Sequence, residues 1–462
     1  MKKIELKQNI SGCCSQPAPV TSLQSERKQP KDNLPVAIIG AGPIGLAAAA
    51  HLTERGEKFI LFESGTQIGS NILEWGHVRL FSPWQYNIDK AAKNLLDKHG
   101  WKAPSLEDLP LGKELVEQYL EHLAKLPEIK PYVLLNTKVL SVSRKGMDKM
   151  KTANREIVPF EIYVEKDGMT ERYEARAVID ASGTWGHPNP VHTSGIWSKE
   201  ELALNQKIYY GIPDIQGKDR ARYVGKRVVV VGSGHSALNT ILDLAQLQET
   251  HSEMKIIWIM RKKSVEEAYG GEEKDALQAR GELGVRIHQL VDSGQIQVMT
   301  PYQIQQLLEK EDGINIIGDV NGEITEIQEI DEIIVNTGSR PDFSFLREVR
   351  LHIDPATESV EALAPLIDPN IHSCGTVRPH GENELRQPEK DFYIVGMKSY
   401  GRAPTFLMAT GYEQVRSIVA YLAGDFEGAK KVELDLPETG VCSLPTTLGK
   451  MEDTCCNPTS NC

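Results

Sequence analysis

Between Cys14 and Cys374 the sequence has no cysteine, and nowhere does it hold an unbroken apolar run of the roughly 18 residues that a membrane-spanning helix requires. Six of its seven cysteines, Cys13, Cys14, Cys442, Cys455, Cys456 and Cys462, lie in stretches without hydrophobic periodicity. A disulfide scaffold is therefore excluded from the centre of the chain, and no helix is expected to cross a bilayer. Positive charge is outnumbered, 52 Lys and Arg against 64 Asp and Glu, and the formal net charge of -12 argues against a nucleic-acid or anionic-membrane partner. An apolar signal region is missing as well. Ile10-Ser11-Gly12-Cys13 faintly resembles a lipoprotein cleavage box, but the preceding "MKKIELKQN" is charged and polar, whereas a signal peptide needs about 7–15 apolar residues there. The expected location is cytoplasmic. Thiols stay reduced in that compartment, so seven of them suggest soft-ion binding or redox chemistry.

What is present is α/β in pattern. Hydrophobic content is 40% and charged content 25%, ordinary values for a globular chain. "PVAIIGAGPIGLAAAAHLTERGEKFILFES" (35–64) reads as strand, glycine turn, helix and strand. "YVLLNTKVLSVSRK" and "PFEIYVEKDGMTERYEARAVIDASG" alternate as antiparallel strands, with a turn at Lys166-Asp167-Gly168. A second strand–turn–helix starts at Lys226, "KRVVVVGSGHSALNTILDLAQL", and strands at "KIIWIMRKK", "IQVMT" (296–300) and "EIIVNTG" (332–338) follow. A last strand and an amphipathic helix occupy 391–425. The expected fold is two Rossmann-like dinucleotide-binding domains, the second inserted into the first. The expected divisions are a disordered arm (1–34), a first nucleotide domain (35–220), an inserted domain (221–343), the return of the first (344–427) and a cysteine-containing tail (428–462).

Each glycine turn has a chemical reason. In Gly40-Ala41-Gly42-Pro43-Ile44-Gly45, Gly40 makes the tight turn, Gly42 admits a pyrophosphate to the backbone, and Gly45 lets helix and strand close up. Glu63 ends the next strand, where its carboxylate can accept both ribose hydroxyls and would repel a 2′-phosphate. This turn suits FAD or NAD. In Gly232-Ser233-Gly234-His235-Ser236-Ala237, Ala237 replaces the third glycine, and the following strand ends in Arg261-Lys262-Lys263. Arg261 and Lys262 suit the 2′-phosphate of NADPH.

"VIDASGTWGHPNP" (178–190) and "IIVNTGSRPD" (333–342) share an apolar strand ending in a small residue, Ser or Thr, and Gly. With the two glycine turns, these ends resemble the two-dinucleotide-domain flavoproteins over roughly residues 35–425. The disulfide reductases of that superfamily carry a cysteine pair near the flavin fingerprint or in the nicotinamide domain; neither stretch here holds one. "ESGTQIGSNILEWGHVRLFSPWQYNID", with Trp75, Arg79, Ser82 and Trp84, is similar to class B flavin monooxygenases, as is "SGTWGHPNP". The sequence departs from that class in having Ser70-Asn71 after Gly69, and in lacking the F-x-G-x-x-x-H-x-x-x-W/Y/F fingerprint; His187 and His192 lie near its place but out of register. Residues 74–84, 392–406 and 436–443 resemble flavoproteins of bacterial arsenic-resistance operons.

The resemblance implies hydride transfer from NADPH to FAD, and delivery of one oxygen atom from O₂ to a soft nucleophile, with Trp75 near the flavin. "GMKSYGRAP" (396–404) would meet the flavin, where Lys398 or Arg402 stabilises developing negative charge and His187 relays protons. The substrate it points to is a trivalent arsenical, captured by Cys13, Cys14, Cys455, Cys456 and Cys462, since thiolates favour soft ions. Two other readings stay open: an NADPH-dependent flavin reductase of thiols, disulfides or metal ions that uses the tail cysteines, and a non-enzymatic metalloid-binding flavoprotein.

Overall fold

The computed structural model describes residues 30–274, 278–368, 380–404 and 406–434. All seven cysteines fall outside these residues, and with them the soft-ion site expected at Cys13, Cys14, Cys455, Cys456 and Cys462.

Val36–Ile39 is apolar at every position because it lies at the centre of a parallel sheet whose two faces are both covered. Phe59–Phe62 and Ala177–Asp180 pair with it on either side, and Val133–Leu134 and Phe392–Ile394 form the edges. The helix Pro43–Glu54 follows the first turn, and its Ala47 to Ala50 are fully buried. Such small side chains let it approach both the sheet and the long helix Met408–Leu422. The second sheet repeats the plan. Arg227–Val231 is central, Lys255–Ile259 and Gln297–Met299 extend one side, and Glu332–Val335 and Ile208–Tyr210 the other, all parallel.

Each domain also carries a three-stranded antiparallel sheet. Thr137–Arg144, Phe160–Lys166 and Met169–Ala175 form the first, with the turn where the sequence placed it. Gln303–Lys310, Gly313–Val320 and Glu323–Ile330 form the second, which the sequence reading missed, as it missed the helix Gln278–Asp292.

Three expected boundaries move. Ile208–Tyr210 pairs with Ile333–Val335, so the inserted domain begins well before residue 221. Pro30–Asn33, assigned to a disordered arm, is a short helical turn pinned by Lys31, whose Nζ lies 3.0 Å from Asp391 with both side chains largely buried. Past 428 the chain is still folded: Asp425 caps the helix Phe426–Lys430, and Ser417 Oγ donates to the carbonyl of Ala429 at 2.6 Å.

The chain crosses between domains twice, and the two crossings lie side by side. Asn189 N donates to Gly338 O at 2.9 Å, Asn189 Nδ2 to Thr337 O at 3.0 Å, and Thr337 Oγ1 back to Asn189 O at 3.1 Å. Among the described residues, no helix is long and apolar enough to cross a membrane.

Candidate functional site

Gly40 adopts φ +99°, a left-handed conformation that side chains disfavour, and a Cβ there would stand 2.8 Å from the carbonyl oxygen of Ala181. A Cβ on Gly45 would meet the carbonyl oxygen of Gly40 at 1.9 Å, so the helix and the turn are in direct backbone contact. Gly42 differs: a Cβ there would touch nothing within 4 Å, leaving its face open to an approaching group. Glu63 sits at the far side of this cradle. Its two oxygens accept from Ala41 N and Gly65 N, both at 2.7 Å, and each keeps a lone pair for a ribose hydroxyl. A helix N-terminus, an open glycine face and a fixed carboxylate fit the pyrophosphate and ribose of FAD.

The second cradle repeats the first. Gly232 has φ +135°, and a Cβ there would stand 2.4 Å from the carbonyl oxygen of Asn336, while a Cβ on Gly234 would meet nothing within 4 Å. Ala237 is fully buried in the helix His235–Gln248 and tolerates the absent third glycine. Arg261 is exposed just beyond Lys255–Ile259, whereas the Lys262 ammonium is turned to the carbonyl of Glu267.

The loop 75–84 of the first domain reaches over the second. Phe81 lies 5.3 Å from the ring of His235, the first residue of the second cradle's helix. His77 packs against Pro213 and Asp214, and burial lowers its pKa below the ordinary value despite the nearby aspartate. Trp75 fills the space beside Gly112 and lies 6.3 Å from Trp185, whose indole donates to Glu74 at 2.6 Å.

Lys398, expected as a cation free to stabilise charge on the flavin or on oxygen, is committed elsewhere. It is fully buried and donates to Asp180 Oδ2 at 2.7 Å and Ser182 Oγ at 3.1 Å. Asp180 Oδ1 in turn accepts from the Ser182 N–H and hydroxyl at 3.1 and 2.7 Å. The pair fastens the loop 396–400 to the end of Ala177–Asp180 and places a neutralised ion pair behind the first cradle. The sequence reading missed Asp180, although an acid inside "VIDASG" was the signal that the strand had a partner to meet.

His187 is exposed on the first crossover, its Nε2 3.6 Å from Asp342 Oδ2 on the second. Burial opposes the ionisation of Asp342, but Ser344 and the charges of His187 and Lys398 outweigh it and hold the carboxyl below its usual range. Arg402 does not share the Lys398 pocket. It is exposed and lies against the turn 354–358. Among the described residues, no group of three or more His, Cys, Asp or Glu side chains is disposed to hold a metal.

The family model described as "Pyridine nucleotide-disulphide oxidoreductase" matches residues 37–374. The chain belongs to this family. Among curated proteins, a ferredoxin–NADP reductase 2 of Shouchella clausii is 24% identical over 76% of this chain and 87% of that reductase. Flavin-containing monooxygenase 3 of Homo sapiens is 27% identical over 46% of this chain and 38% of that enzyme. A bacillithiol disulfide reductase of Bacillus cereus superposes with a TM-score of 0.60 at 20% identity, covering 85% of this chain and 99% of that one. An Erwinia amylovora cadaverine monooxygenase bound to FAD superposes with a TM-score of 0.61 at 14% identity, covering 87% and 97%. This oxidoreductase is thus an FAD- and NADPH-dependent enzyme, with both reductases and monooxygenases among its relatives.

Proposed function

We propose that the enzyme is a flavin monooxygenase that oxygenates a soft heteroatom, with a trivalent arsenical as substrate. The observation that carries this reading is the absence of cysteine from every described residue, and from the whole span 15–373. A reductase of disulfides relays electrons through a cysteine pair beside its flavin, and nothing in either cradle can form one. A reduced flavin here passes its electrons directly to the acceptor, and in this reading the acceptor is O₂. The named monooxygenase relatives support the same assignment.

In this reading Gly40, Gly42, Gly45 and Glu63 hold FAD, and Gly232, Gly234 and Arg261 hold NADPH, with Trp75 packing the wall beside the first cradle. FAD supplies the two-electron chemistry and the activation of oxygen. The protein orients the two nucleotides and keeps water out. Phe81 and Trp185 wall the cleft where the domains meet. His187, exposed at the crossover and 3.6 Å from Asp342, is the proton relay in this reading. With arsenite the overall change balances as H₃AsO₃ + O₂ + NADPH + H⁺ → H₃AsO₄ + NADP⁺ + H₂O. The cysteines at 13, 14, 455, 456 and 462 are the soft ligands that collect the arsenical.

The test follows NADPH, O₂, peroxide and arsenate with and without arsenite. One arsenate per NADPH, with peroxide suppressed, is the expected result. Full conversion of O₂ to peroxide regardless of arsenite, with NADPH-driven cycling of the tail thiols, would instead establish the reductase reading. That alternative is favoured by one observation, the reductases among the relatives.

A further inference from the structure

The loop 396–400 meets the first cradle at two points. A Cβ on Gly396 (φ +68°) would stand 3.1 Å from Ile44 Cγ1, inside the first glycine turn. Lys398 reaches Asp180 and Ser182, and a Cβ on Gly40 would lie 3.1 Å from Ser182 Cα. The shape of this loop therefore bears on the shape of the cradle. A set of buried polar side chains outside both cradles holds the loop from its other side.

Gln414, on the helix Met408–Leu422, and Ser399 are fully buried, and His380 is 3% exposed. The N–H of Gly396 donates to Gln414 Oε1 at 2.7 Å. Because a backbone N–H can only donate, Gln414 must present its oxygen there, which fixes the place of its Nε2. That nitrogen carries two protons and has two partners, Ser399 Oγ and His380 Nε2, both at 2.9 Å. The Ser399 hydroxyl gives its own proton to Gly396 O at 2.7 Å. One closed ring of bonds thus grips Gly396 at both its N–H and its carbonyl. His380 takes the remaining amide proton, so its Nε2 accepts and its ring proton sits on Nδ1. Tyr400, the last residue of the loop, packs on the same imidazole with ring centroids 5.5 Å apart. Without an acceptor at position 380 a buried amide proton has no partner. Turning the amide over would set its NH₂ against the Gly396 N–H. Either way the loop loses a hold.

We propose that His380 is a positioning residue for the flavin: its Nε2 locks the Gln414 amide in one orientation, and the locked amide keeps the loop 396–400 in the shape that completes the first cradle. It acts through Gln414 and Gly396 rather than on the reacting atoms. The inference needs the first cradle to hold FAD, and is independent of which acceptor takes the electrons.

The experiment measures the FAD dissociation constant of the full-length holoenzyme, from the rise of flavin fluorescence over a dilution series, beside the visible absorbance of the bound flavin. His380→Leu keeps the bulk and removes the acceptor. It is expected to hold FAD at least about ten-fold more weakly, the scale of one buried donor left unmade, with the flavin absorbance band displaced. His380→Gln carries an amide oxygen to the place of Nε2 and is expected to restore FAD binding to within about three-fold of wild type. Gln414→Met should weaken binding as much as His380→Leu, and combining the two should cost little more, because both act through one chain of bonds. A purely structural role would lower the thermal midpoint in saturating FAD and leave the dissociation constant within about two-fold of wild type; that result overturns the inference. So does a His380→Gln enzyme as weak as His380→Leu, or losses that simply add in the double variant. Should Leu not be accommodated, His380→Asn, whose amide ends short of the Nε2 position, carries the same expectation and the same refutation.

Discussion

Replacing Lys398 by Met removes a cation from the best-buried ion pair among the described residues. Lys398 and Asp180 side chains are both fully inaccessible and 2.7 Å apart. The substitution keeps the length of the side chain and adds no strain, but it strands the Asp180 carboxylate in the interior. Ser182 still donates to Asp180 Oδ1 through its N–H and hydroxyl, while Oδ2 loses its Nζ partner. Removing one member of such a pair costs about 3–5 kcal/mol, mostly the penalty of the charge left behind. For a domain of this size each kcal/mol shifts the midpoint by roughly 2–4 °C, so a drop on the order of 6–20 °C is expected. The assay is thermal release of the flavin, read by its fluorescence, beside circular dichroism of the whole chain. The double variant Asp180→Asn with Lys398→Met carries no stranded charge and is expected to regain more than half of the loss. A single variant that releases flavin within about 2 °C of wild type would mean that the pair is not paid for by the fold as described. A double variant worse than the single would refute the charge argument specifically.

Gly234→Ala adds a methyl group to a face that touches nothing in the protein. Thermal stability and flavin content should stay unchanged, while KM for NADPH rises about ten-fold or more, because the pyrophosphate needs that approach. Gly40→Ala should behave oppositely: with φ +99° and Ala181 O at 2.8 Å from the new Cβ, it is expected to purify without flavin, seen in the absorbance spectrum. Burial raises the Asp243 carboxyl to about 6, Arg286 and Asp214 adding opposed smaller effects. The folded state thus holds its proton more tightly than the unfolded one, and stability falls as pH rises from about 4 to 6. Asp243→Asn should flatten that fall and raise urea resistance at pH 7.5, by roughly 1–3 kcal/mol; an unchanged pH profile would refute it.

The two glycine turns were legible because their function is local. A strand, a bend with positive φ and a helix N-terminus occupy consecutive residues, so spacing alone reports them. The same holds for Glu63, which ends the strand beside its own turn and meets Ala41 and Gly65 a short distance away. The second antiparallel sheet was hidden by its polarity: Gln303–Lys310 and Glu323–Ile330 bury few residues, and their alternation is diluted by Gln and Glu. Turn signals at Asp312-Gly313 and Asn321-Gly322 were present and would have marked it. The partner of Lys398 was not legible, because Asp180 lies 218 residues away and only the parallel pairing of their strands brings them together. The surroundings of Arg402 were not legible either: its N–H donates to Thr357 O in the turn 354–358, which sequence spacing does not describe.

A single tether would let two lobes swing in any direction. Here Asn189, Thr337 and Gly338 stitch the two tethers into one ribbon. A ribbon twists easily about its own length and resists bending sideways. Joined in this way, the two tethers leave the lobes fewer directions of relative movement than either strand would alone.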